Sequence, residues 1–445
     1  MAPHIALAGL LVVLAVGALC GVFVPRAFAN LMSVLVVTAV VWPRLYEVAI
    51  PPRFALAVFL ALGAVACALC LSATVAKRTM LSVLVLGFTG IMLVAFMGLQ
   101  VVTAAIGDSY FRYFVVVPLS IAYGFLLVRS GRIAQMGYAL LTVGVISSLL
   151  AVVERVTGGP ILDGNPFDEF IDGQYRAAVF SEHTLVMSSL IVGALTVAIV
   201  ATKGVARVAA IAVLIAGIAT TFSRGALILA AGYVIVAAVW ASAPAIRRHV
   251  STIRVAALGL VLIAAPLLFL WQPLGVNGVT SSDPTVASAQ YRGAIYAVAL
   301  DSLRTHPLGW GPTGPPKGEF TLRSPFGTLD VSDTVDSELV HTALDFGYIG
   351  LALLAAIVVV VLFRLRADRW WSHMALLITA AGLYLSIHSW LSLLSLWALA
   401  LGAVIANPPS RSSGNLTDAG SPPIPQRSAR PVEHSDTSTP TPVRA

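Results

Sequence analysis

Long apolar runs, rather than any alternation of polar and apolar positions, organise this chain. Ile5–Val24, Phe54–Val75, Met80–Ile106 and Val208–Phe222 are nearly uncharged. Blocks of this kind recur at roughly 5–24, 27–42, 54–75, 79–106, 111–128, 133–153, 179–201, 205–222, 225–243, 253–272, 338–363, 372–388 and 391–406. About 20 apolar residues in a helix cross the ~30 Å hydrocarbon core. Inside lipid the backbone must satisfy its own hydrogen bonds, so each block predicts a helix. The period-2 pattern of an outer-membrane barrel is absent. The expected fold is all-α and polytopic, with 11–13 transmembrane helices, because 27–42 and the last two blocks are weak as separate spans.

Composition agrees. Of 445 residues, 58% are hydrophobic and only 11% charged, against ~25% charged in an ordinary globular chain. The mean hydropathy is +0.92. A soluble fold could not cover its surface with so few charges. Cys67 and Cys70 form a C-x-x-C inside an apolar block, as Cys20 also sits in one. No polar neighbour suggests redox chemistry or a metal, so these read as packing thiols. Ala27-Phe28-Ala29 looks like a cleavage site, yet no basic region precedes Ile5–Val24, which is therefore read as a retained span.

The connections give the spans a direction. One set is short and basic: Arg26; Lys77 and Arg78; Arg129 and Arg132; Lys203 and Arg207; Arg247, Arg248 and Arg254; Arg364, Arg366 and Arg369. The positive-inside rule places this set in the cytoplasm. The other set holds the long loops, about 157–178 and 272–337, with most of the acidic residues. These fall outside. With all thirteen blocks spanning, the N-terminus is external; with Ile5–Trp42 as one span it is internal. The net charge of +7 thus reflects orientation, and no basic run interleaved with aromatics suggests nucleic acid. Within the second loop, Val286–Arg304 puts Ile295, Val298 and Ala299 on one face, predicting a helix on the membrane surface. From 407 to 445 the chain is rich in Pro, Ser, Thr and Arg and is expected to be a disordered tail.

A few polar residues need a reason. Arg224 lies in Thr221-Phe222-Ser223-Arg224-Gly225-Ala226, between two apolar blocks with almost no loop. It either snorkels at a span end or serves a site. Arg176, just before a span, and Arg292, on the surface helix, lie on the external side, where the rule disfavours arginine. Three arginines there suit an anionic ligand, because each guanidinium grips phosphate oxygens with two donors. Asp336 and Ser337 open the 338–363 block, either as helix caps or with Asp336 as a general base for a hydroxyl. Asp345 lies inside that block and needs a partner, with Glu182 and His183 as candidates. His388 reads as a packing histidine with its hydrogen bonds satisfied. No His/Asp/Glu spacing suggests a metal, and there is no P-loop, dinucleotide fingerprint or D-x-D for a nucleotide sugar.

Taken in order, these motifs resemble those of bacterial O-antigen ligases and Wzy-type polymerases. The carriers of the resemblance are Arg176, Ser223-Arg224-Gly225-Ala226, Arg292, Pro307-Leu308-Gly309-Trp310-Gly311, Asp336-Ser337 and Gly347-Tyr348-Ile349-Gly350. They cover roughly 158–390, while the first third matches only as hydrophobic spans. The resemblance implies a helical glycosyltransferase architecture of the C class. It implies transfer of a glycan from a polyprenyl-pyrophosphate carrier to a glycan or lipid acceptor, at the outer face of the bacterial inner membrane. No cofactor and no essential metal are implied. Arg224, Arg292 and, less directly, Arg176 would hold the pyrophosphate. Well-studied ligases carry His-Asn where this chain has Asp336-Ser337, so Asp336 would activate the acceptor. Three regions follow: 1–157, spans; 158–406, ligase-like; 407–445, tail. The competing reading is a multispan transporter or flippase, but its ionisable groups should lie near the membrane midplane, whereas these gather at the outer edge.

Overall fold

The computed structural model describes residues 23–47, 52–71, 110–161, 170–171, 174–242, 280, 284–325, 327–331, 335, 337–365 and 369–406. Most of the 5–24 block, the blocks at 79–106 and 253–272, and the tail lie outside the described residues. Contacts gather 1–407 into one unit.

The described chain is mostly helical, as the apolar blocks require. The helices are α1 (Pro25–Val41), α2 (Arg44–Glu47), α3 (Pro52–Leu71), α4 (Val117–Arg129), α5 (Ile133–Thr157), α6 (Thr184–Ala201), α7 (Gly204–Thr220), α8 (Arg224–Ser242), α9 (Pro284–Thr305), α10 (Glu338–Arg364), α11 (Trp370–Ala381) and α12 (Leu391–Ala406). A π-helical turn, Arg112–Val116, leads into α4. Two short antiparallel pairs complete it: β1 (Phe170–Ile171) with β2 (Gln174–Tyr175), and β3 (Thr321–Ser324) with β4 (Gly327–Asp330).

Five described helical stretches are long and apolar enough to cross a membrane: Pro52–Leu71, Arg112–Arg129, Ile133–Thr157, Thr184–Ala201 and Glu338–Arg364. Pro25–Val41, Gly204–Thr220, Arg224–Ala238 and Leu391–Ala406 are shorter apolar helices. Burial sorts them. The most apolar stretch of α6 is 78% buried, so α6 is central, whereas that of α10 is 17% buried. Leu353, Val359, Val360 and Phe363 of α10 are exposed, as lipid-facing residues should be.

Close backbone contact holds the bundle where apolar surface cannot, because lipid is as apolar as leucine. A Cβ on Gly124 of α4 would overlap the Leu399 carbonyl of α12, and one on Gly402 would overlap that of Ile121. A second, smaller core lies against α10. Ala294, Ile295, Ala299 and Leu303 of α9 pack with Leu322, Val331, Val340 and Leu344. The expected helix at 286–304 is therefore present, with its apolar face turned onto the start of α10 and the β3–β4 hairpin.

Candidate functional site

The site grows from four short non-helical segments. The first is the α7–α8 turn. Ser223 caps α8: its Oγ accepts from the Ala226 amide at 3.4 Å. Arg224 therefore occupies the first helical position, exposed, beside the unpaired amides and partial positive charge of a helix N-terminus. Phe222, before the cap, is held at φ 55. The Arg155 guanidinium lies over its ring, 4.8 Å from the centroid.

The second segment, 176–178, runs along that turn. Half-buried Arg176 donates from Nε to the Thr221 carbonyl at 2.9 Å, and the Ala177 amide donates to Thr220 at 3.3 Å. Arg176 thus braces the turn that carries Arg224. The Glu154 carboxylate, missed in the sequence because it ends a span, accepts from the amides of Ile161, Ala178 and Val179 at 3.1, 3.1 and 2.9 Å.

The third segment is the glycine-rich turn after α9. Its two motifs prove to be one device. Gly347 interrupts α10 at φ 57, and the turn inserts at that break. Trp310 and Gly311 amides donate to the Leu344 and Asp345 carbonyls, each at 2.8 Å, and the Tyr348 amide donates to Pro307 at 2.9 Å. A Cβ on Gly347 would overlap the Pro307 carbonyl, and one on Gly309 that of Asp345. The turn thereby satisfies backbone groups that the broken helix leaves open.

The fourth segment, the 382–390 turn between α11 and α12, joins the others. At one end, a Cβ on Gly225 would sit 2.9 Å from the Tyr384 ring, so the ring lies against the α8 N-terminus. The Arg292 charge acts on the hydroxyls of both Tyr384 and Tyr296. The Tyr296 hydroxyl donates to the Leu383 carbonyl at 3.1 Å, which leaves it to accept from Ser337 Oγ at 3.0 Å. Burial raises the Tyr296 phenol above its ordinary pKa, against the lowering effect of Ser337 and Arg292.

At the other end lies a cluster that sequence reading did not assemble. The Glu338 carboxylate accepts from the His388 amide and from Nδ1, each at 3.0 Å. His388 Nε2 faces Asp345 Oδ2 at 3.6 Å. The His341 ring stands edge-on to His388, centroids 4.1 Å apart, and its Nε2 lies 3.2 Å from Ser389 Oγ. Arg112 donates to the carbonyls of His388 and Ser389 at 2.9 and 2.6 Å. The partner expected for Asp345 among Glu182 and His183 is instead His388. His183 caps α6, its Nδ1 accepting from the Leu185 amide, and stacks on Trp390. The available signal was the break in the last hydrophobic blocks at His388-Ser389-Trp390.

Spacing along the chain suggested no metal site, yet His341, Asp345 and His388 present ligand atoms within 4.8 Å of one another. They are the candidate ligands among the described residues. Asp336 lies outside the described residues; its neighbours Val335 and Ser337 are buried.

Beside Glu338 opens an apolar cavity of about 480 Å³ between α9, α10 and α11, lined by Tyr296, Leu300, Leu303, Leu354, Val358 and Leu376 among others.

The fold and site define a helical membrane protein that gathers arginines, a carboxylate–histidine cluster and an apolar cavity around one irregular turn. Residues 209–355 match the model of the O-antigen ligase family, described as O-Antigen ligase. Over that stretch, about a third of the chain, the protein is similar to O-antigen ligases, which indicates a ligase- or polymerase-type glycosyltransferase. The matched stretch runs from α7 into α10 and includes Arg224, Arg292, Asp336 and both glycine motifs; Arg112, Arg176 and the 382–390 turn lie beyond it. No curated protein and no solved structure matches the chain.

Proposed function

We propose that the protein transfers a glycan from a polyprenyl-pyrophosphate carrier to an acceptor hydroxyl at the outer face of the bacterial inner membrane. Arg224 and Arg292 hold the departing pyrophosphate, Arg176 braces Arg224, and neither nucleotide sugar nor metal takes part. Asp336 is the sequence's candidate for activating the acceptor.

The observation that carries this reading is the meeting of two kinds of surface. Arg292 lies one helical turn before Tyr296 on α9, and Tyr296 also lines the apolar cavity. An isoprenoid pyrophosphate needs cationic donors for its head beside an apolar slot for its tail. Glycosyl transfer leaves negative charge on pyrophosphate, and fixed guanidinium groups stabilise it as it develops, each worth on the order of 10²–10³ in rate. The sidedness follows from charge: Lys203 and Arg207 lie at the other end of α7 from the Arg224 turn, and the basic end faces the cytoplasm.

The test uses the purified protein in lipid nanodiscs with a polyprenyl-pyrophosphate glycan and candidate acceptors. Transfer that Arg224→Ala and Arg292→Ala each abolish supports the reading. Full activity in either variant overturns the clamp role of that residue.

A further inference from the structure

The chain from 176 to 180 is held at every residue. Arg176 Nε donates to the Thr221 carbonyl at 2.9 Å, and the Ala177 amide donates to the Thr220 carbonyl at 3.3 Å. The amides of Ala178 and Val179 donate to one oxygen of the Glu154 carboxylate, at 3.1 and 2.9 Å. The Phe180 carbonyl accepts from the Arg44 amide at 3.3 Å. Five consecutive residues outside any helix thus each have a partner in another part of the chain.

The holding has a physical reason. Val179 sits at φ 53, where a β-branched side chain crowds its own backbone. A residue in that region persists only where its surroundings over-determine it, and Glu154 holds its amide. Phe222, on the α7–α8 turn, is also at positive φ, and the next residue of α5, Arg155, lies over its ring. The end of α5 therefore touches both strained residues, one on each of the two segments that meet at Thr220 and Thr221. Glu154 is fully buried, and its second oxygen accepts from the Ile161 amide at 3.1 Å. The Arg44 charge acts on the carboxylate, and the Gly158 amide caps the Glu154 carbonyl at 2.9 Å. An ionisable side chain buried at a span end is expensive and usually functional.

We propose that Glu154 is a positioning residue for glycan transfer: its carboxylate locks 176–180 in the conformation that holds the α7–α8 turn, and so fixes where Arg224 stands. The line of support starts at Glu154 and passes to Ala178 and Val179. It continues through Arg176 and Ala177 to the Thr220 and Thr221 carbonyls, and then over Ser223 to Arg224. In this role Glu154 touches neither donor nor acceptor, and no proton moves to or from it. It keeps a guanidinium in place, because a group that must meet developing charge loses its effect when it shifts by about 1 Å. The inference rests on the transfer reading above.

The experiment measures kcat and KM for the full chain in nanodiscs, with polyprenyl-pyrophosphate glycan as donor. Glu154→Gln keeps the side chain's size but sets an N–H against at least one of the three amides. It should lower kcat about tenfold or more, with acceptor KM little changed. Val179→Gly added to it should recover part of the rate, because glycine takes positive φ without a support. In the residual transfer of an Arg224→Ala background, Glu154→Gln should cost little further, since residues that act through one another do not add. Wild-type kcat in Glu154→Gln overturns the proposal. So does a loss of the same factor with and without the Arg224 side chain, which marks general damage to the fold. If Glu154→Gln fails to fold, Glu154→Asp, which keeps the charge and draws it back from the amides, decides in the same cycle: an unchanged kcat, or a loss independent of Arg224, overturns the proposal. Those outcomes leave the transfer reading intact. Wild-type protein inert toward every lipid-pyrophosphate donor overturns the transfer reading, and this proposal with it.

Discussion

The Tyr384 ring lies so close to Gly225 that a Cβ there would come within 2.9 Å of it. This contact ties the turn carrying Arg224 to the turn carrying His388, which are more than 150 residues apart in sequence. Glycine at the third position of Ser223-Arg224-Gly225-Ala226 is therefore a packing requirement. Gly225→Val should displace the ring or the helix start and lower kcat by about tenfold or more, since small misplacements of positioning groups are costly. Tyr384→Ala added to Gly225→Val should recover part of the loss. A double-mutant cycle on kcat/KM checks this, because residues in contact are coupled whereas distant ones add. Strict additivity would show that the contact has no role in the site.

The break in α10 makes a second prediction, on stability. Gly347 and Gly311 both have positive φ, 57° and 93°. A Cβ on Gly311 meets nothing within 4 Å, whereas one on Gly347 overlaps the Pro307 carbonyl. Gly311→Ala should cost only the backbone strain, about 1–2 kcal/mol. Gly347→Ala adds a clash with main chain that cannot rotate away, and should cost clearly more, about 3 kcal/mol or greater. Thermal unfolding of the two variants in one detergent compares them directly. Equal shifts would mean that the glycine-rich turn is not seated in the α10 break.

These two contacts also show where sequence reading succeeds and stops. Hydrophobic blocks announced α3, α5, α6 and α10 because a span is a local property of composition. The helix at 286–304 was legible from Ile295, Val298 and Ala299 for the same reason, although that face meets α10 and the hairpin rather than a membrane surface. The glycine motifs were visible as turns, but that Pro307 and Gly309 fill the break at Gly347 is a long-range fact that no spacing encodes. Arg176 could be seen as an external arginine, yet its bond to Thr221 depends on two chain segments lying side by side. The cluster escaped for a similar reason. Glu338, His341 and Asp345 share one helix, but His388 arrives from a turn hidden at the edge of an apolar block. A lone histidine among serines and tryptophans looks like packing until its carboxylate partner is beside it.

The three arginines should separate by role. Arg224 is exposed at a helix N-terminus. Arg292 lies near the tyrosines that link α9 to the 382–390 turn. Arg176 instead spends its Nε on the Thr221 carbonyl. Arg224→Ala and Arg292→Ala should each lower kcat about 10²- to 10³-fold. Arg176→Ala should act through the turn and give a smaller loss, with lysine failing to restore it because lysine has a methylene where the Nε donor stands. Single-turnover transfer with purified variants ranks them. An Arg176 effect as large as that of Arg224 would put Arg176 on the pyrophosphate itself.

Metal removal tests the charge argument most directly. His341, Asp345 and His388 are close enough to bind a divalent ion, and the bond from His388 Nδ1 to Glu338 resembles the outer contact that orients metal-bound imidazoles. Two features weigh against a catalytic ion there. The Arg112 guanidinium sits on the carbonyls of His388 and Ser389, which places a fixed positive charge beside any bound cation. On the proposed reading, Arg224 and Arg292 already meet the leaving group's charge, so the transfer needs no ion at His388. Protein purified in chelator should therefore keep its full transfer rate, and added Zn²⁺ or Mn²⁺ should not raise it. Loss of activity in EDTA with recovery on adding one of these ions, absent in His341→Ala, would make the cluster a metal centre.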